Sequence, residues 1–500
     1  MLHKRGHVQS FRGARRGTWG SGSPRGGRGA CQQPKLVEET PPPPCGPLLE
    51  EISLEDILDR SRGELERHGI TDCELVASYN WLDKPGRSMI IPGMPPRWTP
   101  PPFPSTLKKD SGTYYRDQNA CWYPAHPTEP GAEAIMRLKA DQQDTRDSFD
   151  VDIFACGSTL GNLLRFVNGG DMKFRMLVEV VGKTVHLIRR ENSPYDTIPG
   201  VYGYGHTFPE AYTTWDSPVR GSDSHQRIVR YRLGGMHFLV RSKGDGYLPD
   251  KVPENLRNVS SDTGESHRAS SIDSLASALA GNSVSRRAQS SEGQPSLQIS
   301  VAGQLIPQEA VFNLKTRSAM KKLDGSTAVE VLEVEVPRLW VSQIPNLVLA
   351  YHKRGLFDDI EIQDARPAIA KWESDKEPEV KRFVVLLRKI VEIARSKDDG
   401  KFEIVRNDGE NVIRIMQQMP DVAPAFSPET AERWERWLDA GGNKSDSHSD
   451  QRSYEEESSR FDQGSDLNDT LNHGWSDDSG SEKDLTACDE ECGYCGRCVY

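Results

Sequence analysis

No run of apolar residues in this 500-residue chain approaches the roughly 20 that a helix needs to cross a bilayer. The most hydrophobic stretch, 383–394, is broken by Arg388, Lys389 and Glu392, which argues against an integral membrane protein. Large apolar residues are scarce overall: a hydrophobic content of 35% and a mean hydropathy of −0.65 fall below the usual globular share, so much of the chain is expected to be unfolded. No secretory signal precedes the nine cysteines, an odd number, which points to a reducing compartment with free thiols or metal thiolates rather than a disulfide framework. The expected compartment is the nucleus or cytoplasm, with the mitochondrion as the alternative. Acidic residues are missing from positions 1–37, which hold eight Lys or Arg, although the whole chain carries a net charge of −11.

Those eight cations sit in an Arg-Gly-rich arm in which Arg12, Arg16, Arg25 and Arg28 each precede glycine. Guanidinium groups fork onto phosphates and stack on bases while glycine keeps the chain adaptable, so an unstructured basic arm over 1–45 suits RNA; the bland alternative is a solvated tail. Ser53-Leu54-Glu55-Asp56 carries a capping-box pattern and opens the folded part, whose first half is expected over 46–250. Within it, 73–81 reads as a strand, 92–104 as a proline-rich segment running extended over a surface, and 176–188 as a hairpin turned around Gly182. From 251 to 305 the composition turns to Ser, Asn, Asp and Arg, the signature of a disordered insertion. Order resumes over 306–439, with a helix near 379–395 that lines up Val380, Phe383, Val384, Leu387, Ile390, Val391 and Ala394 on one face. A Ser-rich acidic tail follows over 440–487. Protein partners are expected to bind through these tails.

Four segments have matching chemistry: 204–210, Lys243-Gly244-Asp245, Asn313-Leu314-Lys315, and Trp340-Val341-Ser342-Gln343. Residues i and i+2 of a strand share a face, so Lys315 is expected beside position 313 and Lys243 beside Asp245, in one cavity with Glu210. Carboxylates there would hold Mg or Mn, Lys315 would position or deprotonate the attacking water, and Gln343 would orient that water or a phosphate. An acidic residue on one strand and a carboxylate-x-Lys step on the next is the layout of a metal-dependent phosphodiesterase of the PD-(D/E)XK type. The bland alternative is a set of ordinary charged strand ends. The expected fold is accordingly α/β, a mixed central sheet flanked by helices.

In this order the segments resemble the DXO-type decapping exoribonucleases. Phe154-Ala155-Cys156-Gly157 resembles that family's opening Arg-Gly motif, and Tyr202-Gly203-Tyr204 with Phe208-Pro209-Glu210 resembles its aromatic, glycine and glutamate motif. The stretch 230–245 resembles its strand bearing Glu-x-Asp, 312–318 its Glu-Leu-Lys-Thr-Ser strand, and 340–343 its tryptophan-glutamine helix. A fungal protein set of unknown role resembles the chain more closely, through its Asn80-Trp81 and Trp98 regions and its cysteine-rich end. The resemblance implies RNA as partner, with Arg317 and the basic arm as contacts, and cap or phosphodiester hydrolysis as the activity of an intact site. Three positions depart from it: Lys243 stands for a Glu, Asn313 for a carboxylate, and Cys156 for an RNA-gripping Arg. Glu210, Asp245, Lys243 and Lys315 then sum to zero charge. Each unit of charge at ligand range is worth on the order of 4 kcal/mol at an effective dielectric near 20, so weakened or lost catalysis is expected, as in a pseudoenzyme. The alternatives are a non-catalytic RNA-binding scaffold and a RecB-like DNA exonuclease.

Cys488, Cys492, Cys495 and Cys498 close the chain with spacing C-x3-C-x2-C-x2-C. Four thiolates at this spacing suit a tetrahedral zinc site or an iron-sulfur cluster. His206 reads as a loop or site-wall residue, and the tryptophans at 81, 98 and 122 as packing.

Overall fold

The computed structural model describes residues 40–63, 68–84, 87–139, 150–198, 201, 203–257, 296–319 and 328–442. Arg12, Arg16, Arg25 and Arg28 of the arm and Cys488, Cys492, Cys495 and Cys498 of the cysteine cluster lie outside the described residues.

The fold is mixed α/β, divided over two mixed sheets where the sequence suggested one. The first runs in the spatial order β1 (Leu48–Ser53), β18 (Val412–Met416), β17 (Lys401–Arg406), β7 (Phe174–Val181), β8 (Thr184–Arg189), β6 (Ile153–Cys156), β11 (Met236–Lys243), β10 (Ser222–Leu233), β2 (Thr71–Leu82), β3 (Ser88–Gly93), β13 (Gln298–Gly303). The second runs β5 (Ser105–Thr106), β16 (Leu356–Asp364), β15 (Asn346–Lys353), β14 (Val311–Ser318), β12 (Gly246–Tyr247), β4 (Arg97–Trp98), β9 (Thr213–Thr214). Helices α1 (Leu54–Ser61), α2 (Gln118–Trp122), α3 (Glu129–Leu138), α4 (Gly157–Val167), α5 (Thr207–Tyr212), α6 (Ala328–Ser342), α7 (Arg366–Asp375), α8 (Glu377–Ser396) and α9 (Pro428–Gly442) cover them.

Local sequence explains several of these elements. Ser53 Oγ accepts from the Asp56 amide at 3.0 Å while Asp56 accepts from the Ser53 amide at 3.3 Å, the reciprocal cap that starts α1. The β7–β8 hairpin turns at Gly182, whose φ of 62° suits glycine. All seven apolar residues expected on the helix over 379–395 are buried along α8, where they join α4 and Trp340 of α6 in the core on one face of the first sheet. On the other face, α3 and α9, the latter through Trp434, pack against Tyr79, Trp81 and Phe154.

Four expectations are corrected. The stretch 230–245 is not one strand but the β10–β11 hairpin, turned at Gly234 and Gly235, both at positive φ. Both described ends of the stretch 251–305 are ordered: Val252 is buried ahead of a helical turn at Glu254–Arg257, and Gln298–Gly303 pairs with β3 in parallel, with Ile299 packed on the core. The prolines ahead of β1 are held, since Arg175 donates to the Pro43 carbonyl at 2.6 Å and to Cys45 Sγ at 3.0 Å. The proline-rich segment from 92 is extended but buried at its start, where Ser78 and the Asn80 amide donate to the Pro92 and Met94 carbonyls.

Candidate functional site

Strand β14 divides the candidate residues by alternation. Phe312 and Leu314 point into an aromatic layer with Tyr204, Phe208, Tyr212 and Phe357. Asn313 and Lys315 therefore face the other way, toward α6, whose Val331 and Leu339 pack on Leu349 and Leu347 of the neighbouring β15. There Lys315, 2% exposed, places Nζ 3.4 Å from Glu335 Oε1 of α6. Arg317 approaches the same oxygen at 3.6 Å and Arg338 approaches Oε2 at 3.9 Å. Asn313 Oδ1, also buried, makes no hydrogen bond. Glu335 escaped the sequence reading, although it lies midway between Val331 and Leu339 at spacings of four, on the buried stripe of the helix.

Asp245 lies at the junction of the two sheets. Gly244 carries the chain past His225 and Arg227, whose side-chain carbons would stand 3.1 and 3.3 Å from any Cβ there. Asp245 Oδ2 accepts from the Leu314 amide at 2.9 Å and its own amide donates to the Phe312 carbonyl at 3.3 Å, so the carboxylate ties β14 to the end of β11. Its other oxygen is 3.8 Å from Lys243 Nζ. Gln343, at φ 53°, turns its amide back onto the Trp340 carbonyl at 2.6 Å and closes α6 instead of reaching into a cavity. Cys156 is buried at the start of α4, with Sγ 2.9 Å from Ser158 Oγ. Beside it, Asp117, Arg189 and Arg241 line a void of about 10 Å³, room for one water, so position 156 cannot contact a polymer directly.

Glu210 does not join this set. It lies on α5, where Phe208 and Tyr212 stack at 4.0 Å and bury the helix in the aromatic layer, leaving Glu210 exposed. That layer lies on the face of β14 opposite to Lys315, so the expected common cavity of 210, 245 and 315 is not formed. Glu210 instead neighbours Asp110: partial desolvation and the Asp110 charge both raise its carboxyl above the ordinary range. Asp110, 6% exposed, accepts from the amides of His206 and Thr207 at 3.0 and 2.8 Å and from His206 Nδ1 at 3.1 Å. Burial alone would raise the Asp110 carboxyl, but these bonds outweigh it and hold the group below its usual range. Burial lowers His206, the Asp110 contact opposes this, and the Lys243 charge lowers it further. The Tyr114 ring stacks on the imidazole. No local pattern marked Asp110, which lies 96 residues before His206.

These donors do not fit the Mg or Mn ion that the resemblance implied. Glu210 is on the wrong layer, one Asp245 oxygen is spent on a backbone amide, and Lys315 and Arg317 crowd the nearest buried carboxylate. Among the described residues no cluster of three or more His, Cys, Asp or Glu side chains is arranged to hold a metal ion.

Residues 68–427 match the family described as a domain of unknown function, DUF8563. The chain belongs to this family. The matched region contains β2 to β18 and every element of the candidate site, and ends just before α9. No curated protein matches the chain. Among solved structures it is similar to Rai1 of Candida albicans in complex with pU5-Mn2+, at 10% identity over 75% of this chain and 97% of that one, TM-score 0.47. Rai1 of Scheffersomyces stipitis, in complex with (3′-NADP)+ and calcium, gives 10% identity over 79% and 99%, TM-score 0.47. Dxo1 of K. lactis, in complex with manganese, gives 9% over 76% and 96%, TM-score 0.39.

Proposed function

We propose that the protein binds RNA 5′ ends and that its metal-dependent phosphodiester or cap hydrolysis is weakened or lost. The observation that carries this reading is the Lys315–Glu335 contact: the lysine of the Asn-Leu-Lys step is buried against a helix carboxylate, on the face of β14 away from Glu210. A lysine so placed does not act on a metal-bound water. The order of the five motifs supports RNA as the polymer, and Arg317 and Arg338, partly exposed around Glu335, supply guanidinium groups suited to phosphate. In this reading the basic arm adds sequence-independent affinity, and the terminal cysteines hold zinc or an iron-sulfur cluster. The test is fluorescence anisotropy of the full chain with 5′-phosphorylated, 5′-hydroxyl and capped RNAs, alongside release of 5′ products with Mn. Binding that favours one 5′ end, with little Mn-stimulated release, supports the reading. Equal affinity for all three RNAs and for DNA contradicts it.

A further inference from the structure

We propose that strand β13 is a dimerisation edge, which pairs antiparallel with β13 of a second copy of this chain. The two sheets present four edges, and three of them are blunted: β5 and β9 are two residues long, and β1 carries Glu50 and Glu51. Strand β13 has neither protection. It runs six residues as Gln-Ile-Ser-Val-Ala-Gly, and no charged residue occurs from Ser296 to Gln308. Among the described residues no strand lies on its outer side.

The backbone decides what this edge offers. The Gln298 amide donates to the Arg87 carbonyl at 3.0 Å, and the parallel register runs from Gln298 beside Ser88 to Gly303 beside Gly93. In a parallel pair alternate residues bond the neighbour, so Gln298, Ser300 and Ala302 turn their N–H and C=O groups toward β3. Ile299 and Val301 turn theirs outward. The side chains alternate between the faces of the sheet: Leu297 and Ile299 pack on the core beneath α3 and α9, and Val301 follows on that same face, beside Ile91 in register and 43% exposed. Val301 is thus an apolar side chain at an open edge, where that core stops.

A two-fold axis at Ser300, in the middle of the strand, satisfies the backbone and the side chains together. Ile299 of one copy then faces Val301 of the other, and each such pair exchanges both of its outward N–H to C=O bonds. The same register covers Val301 with a β-branched side chain and joins the two cores across the axis. Ser300 meets Ser300 on the opposite face. The edge is self-complementary in charge as well: with none of its own, it brings no like charges together, although the chain as a whole carries −11. Strand β1, which would set Glu50 and Glu51 against their own copies, could not pair in this way.

The test is the solution mass of the full-length protein, by sedimentation velocity over a rising concentration series. The mass is expected to climb from the 55.9 kDa of one chain toward twice that value. V301K sets an ammonium against Ile299 of the other copy, and V301P removes an N–H that points away from β3. Each should abolish the dimer while keeping the melting temperature of the diluted wild type. S300C should form a disulfide between copies on mild oxidation, read by peptide mass, because residues facing each other on the axis stand about 4.5 Å apart at Cα. Q298C, which faces Ala302 in this register, should not. A monomer at every concentration overturns the proposal and leaves the edge to a strand of another protein. A dimer that persists in both V301K and V301P, or that cross-links through Q298C and not through S300C, overturns it too.

Discussion

Glu335 Oε1 stands 3.4 Å from Lys315 Nζ with both residues at most 2% exposed, one from a helix and one from a strand. Neither ion has water to fall back on, and Glu335 is shared with Arg317 at 3.6 Å and Arg338 at 3.9 Å. Replacing Glu335 with Ala should cost about 3–5 kcal/mol by leaving a buried ammonium poorly compensated, and the paired change Lys315→Met with Glu335→Leu should recover most of it. Urea unfolding of the two variants beside the wild type checks this. Single and double variants of equal stability would show that the pair is not coupled.

A pH effect is expected from His186, which is fully buried, makes no hydrogen bond and sits among Phe154, Phe426 and Trp434. Burial pushes its imidazole down to about 3. The unfolded chain takes up the proton as pH falls below the ordinary 6.5 while the native state does not. Stability should therefore be lost as pH drops from that value, by up to about 1.4 kcal/mol per unit from this group. His186→Phe should flatten that part of the profile, measured by denaturant unfolding at neutral pH and at pH near 5.

Trp434 of α9 is fully buried, with its ring stacked at 5.2 Å on Trp437 and at 6.0 Å on Phe154. Trp434→Ala should cost about 3–5 kcal/mol, and truncation before α9 a comparable amount, although the helix lies outside the matched family region. Unchanged thermal unfolding in either variant would mean that α9 does not seal this core.

Asp245 serves the backbone of β14 through the Leu314 amide. Asp245→Ala should cost about 1–3 kcal/mol by orphaning that donor, while Asp245→Asn, which keeps an acceptor oxygen, should cost less. A metal-ligand role would instead leave stability nearly unchanged and abolish Mn-dependent activity in both.

What could be seen in the sequence follows from what is local. The alternation of Phe312, Asn313, Leu314 and Lys315 marked a strand, and the stripe from Val380 to Ala394 marked a helix, because burial imposes those periods on adjacent residues. Which layer a helix joins is set by contacts far along the chain. The pattern from Tyr204 to Glu210 therefore gave no sign that Phe208 and Tyr212 would anchor α5 on the face opposite Lys315. Asp110 was likewise silent, since its partner His206 is distant in sequence and its own neighbours form a short polar loop. Glu335 was the one readable omission: a lone acid on an apolar stripe asks for a buried cation, and Lys315 was already in view.

The most direct measurement is calorimetric titration of Mn into the full chain bound to 5′-phosphorylated RNA, with 5′-product release followed on the same sample. The expected result is RNA affinity indifferent to EDTA, no heat from a divalent site involving Asp245, and no Mn-dependent release. Mn binding and 5′ hydrolysis that both disappear in Asp245→Asn and Glu210→Gln would contradict the placing of Glu210 and Lys315 on opposite faces of β14.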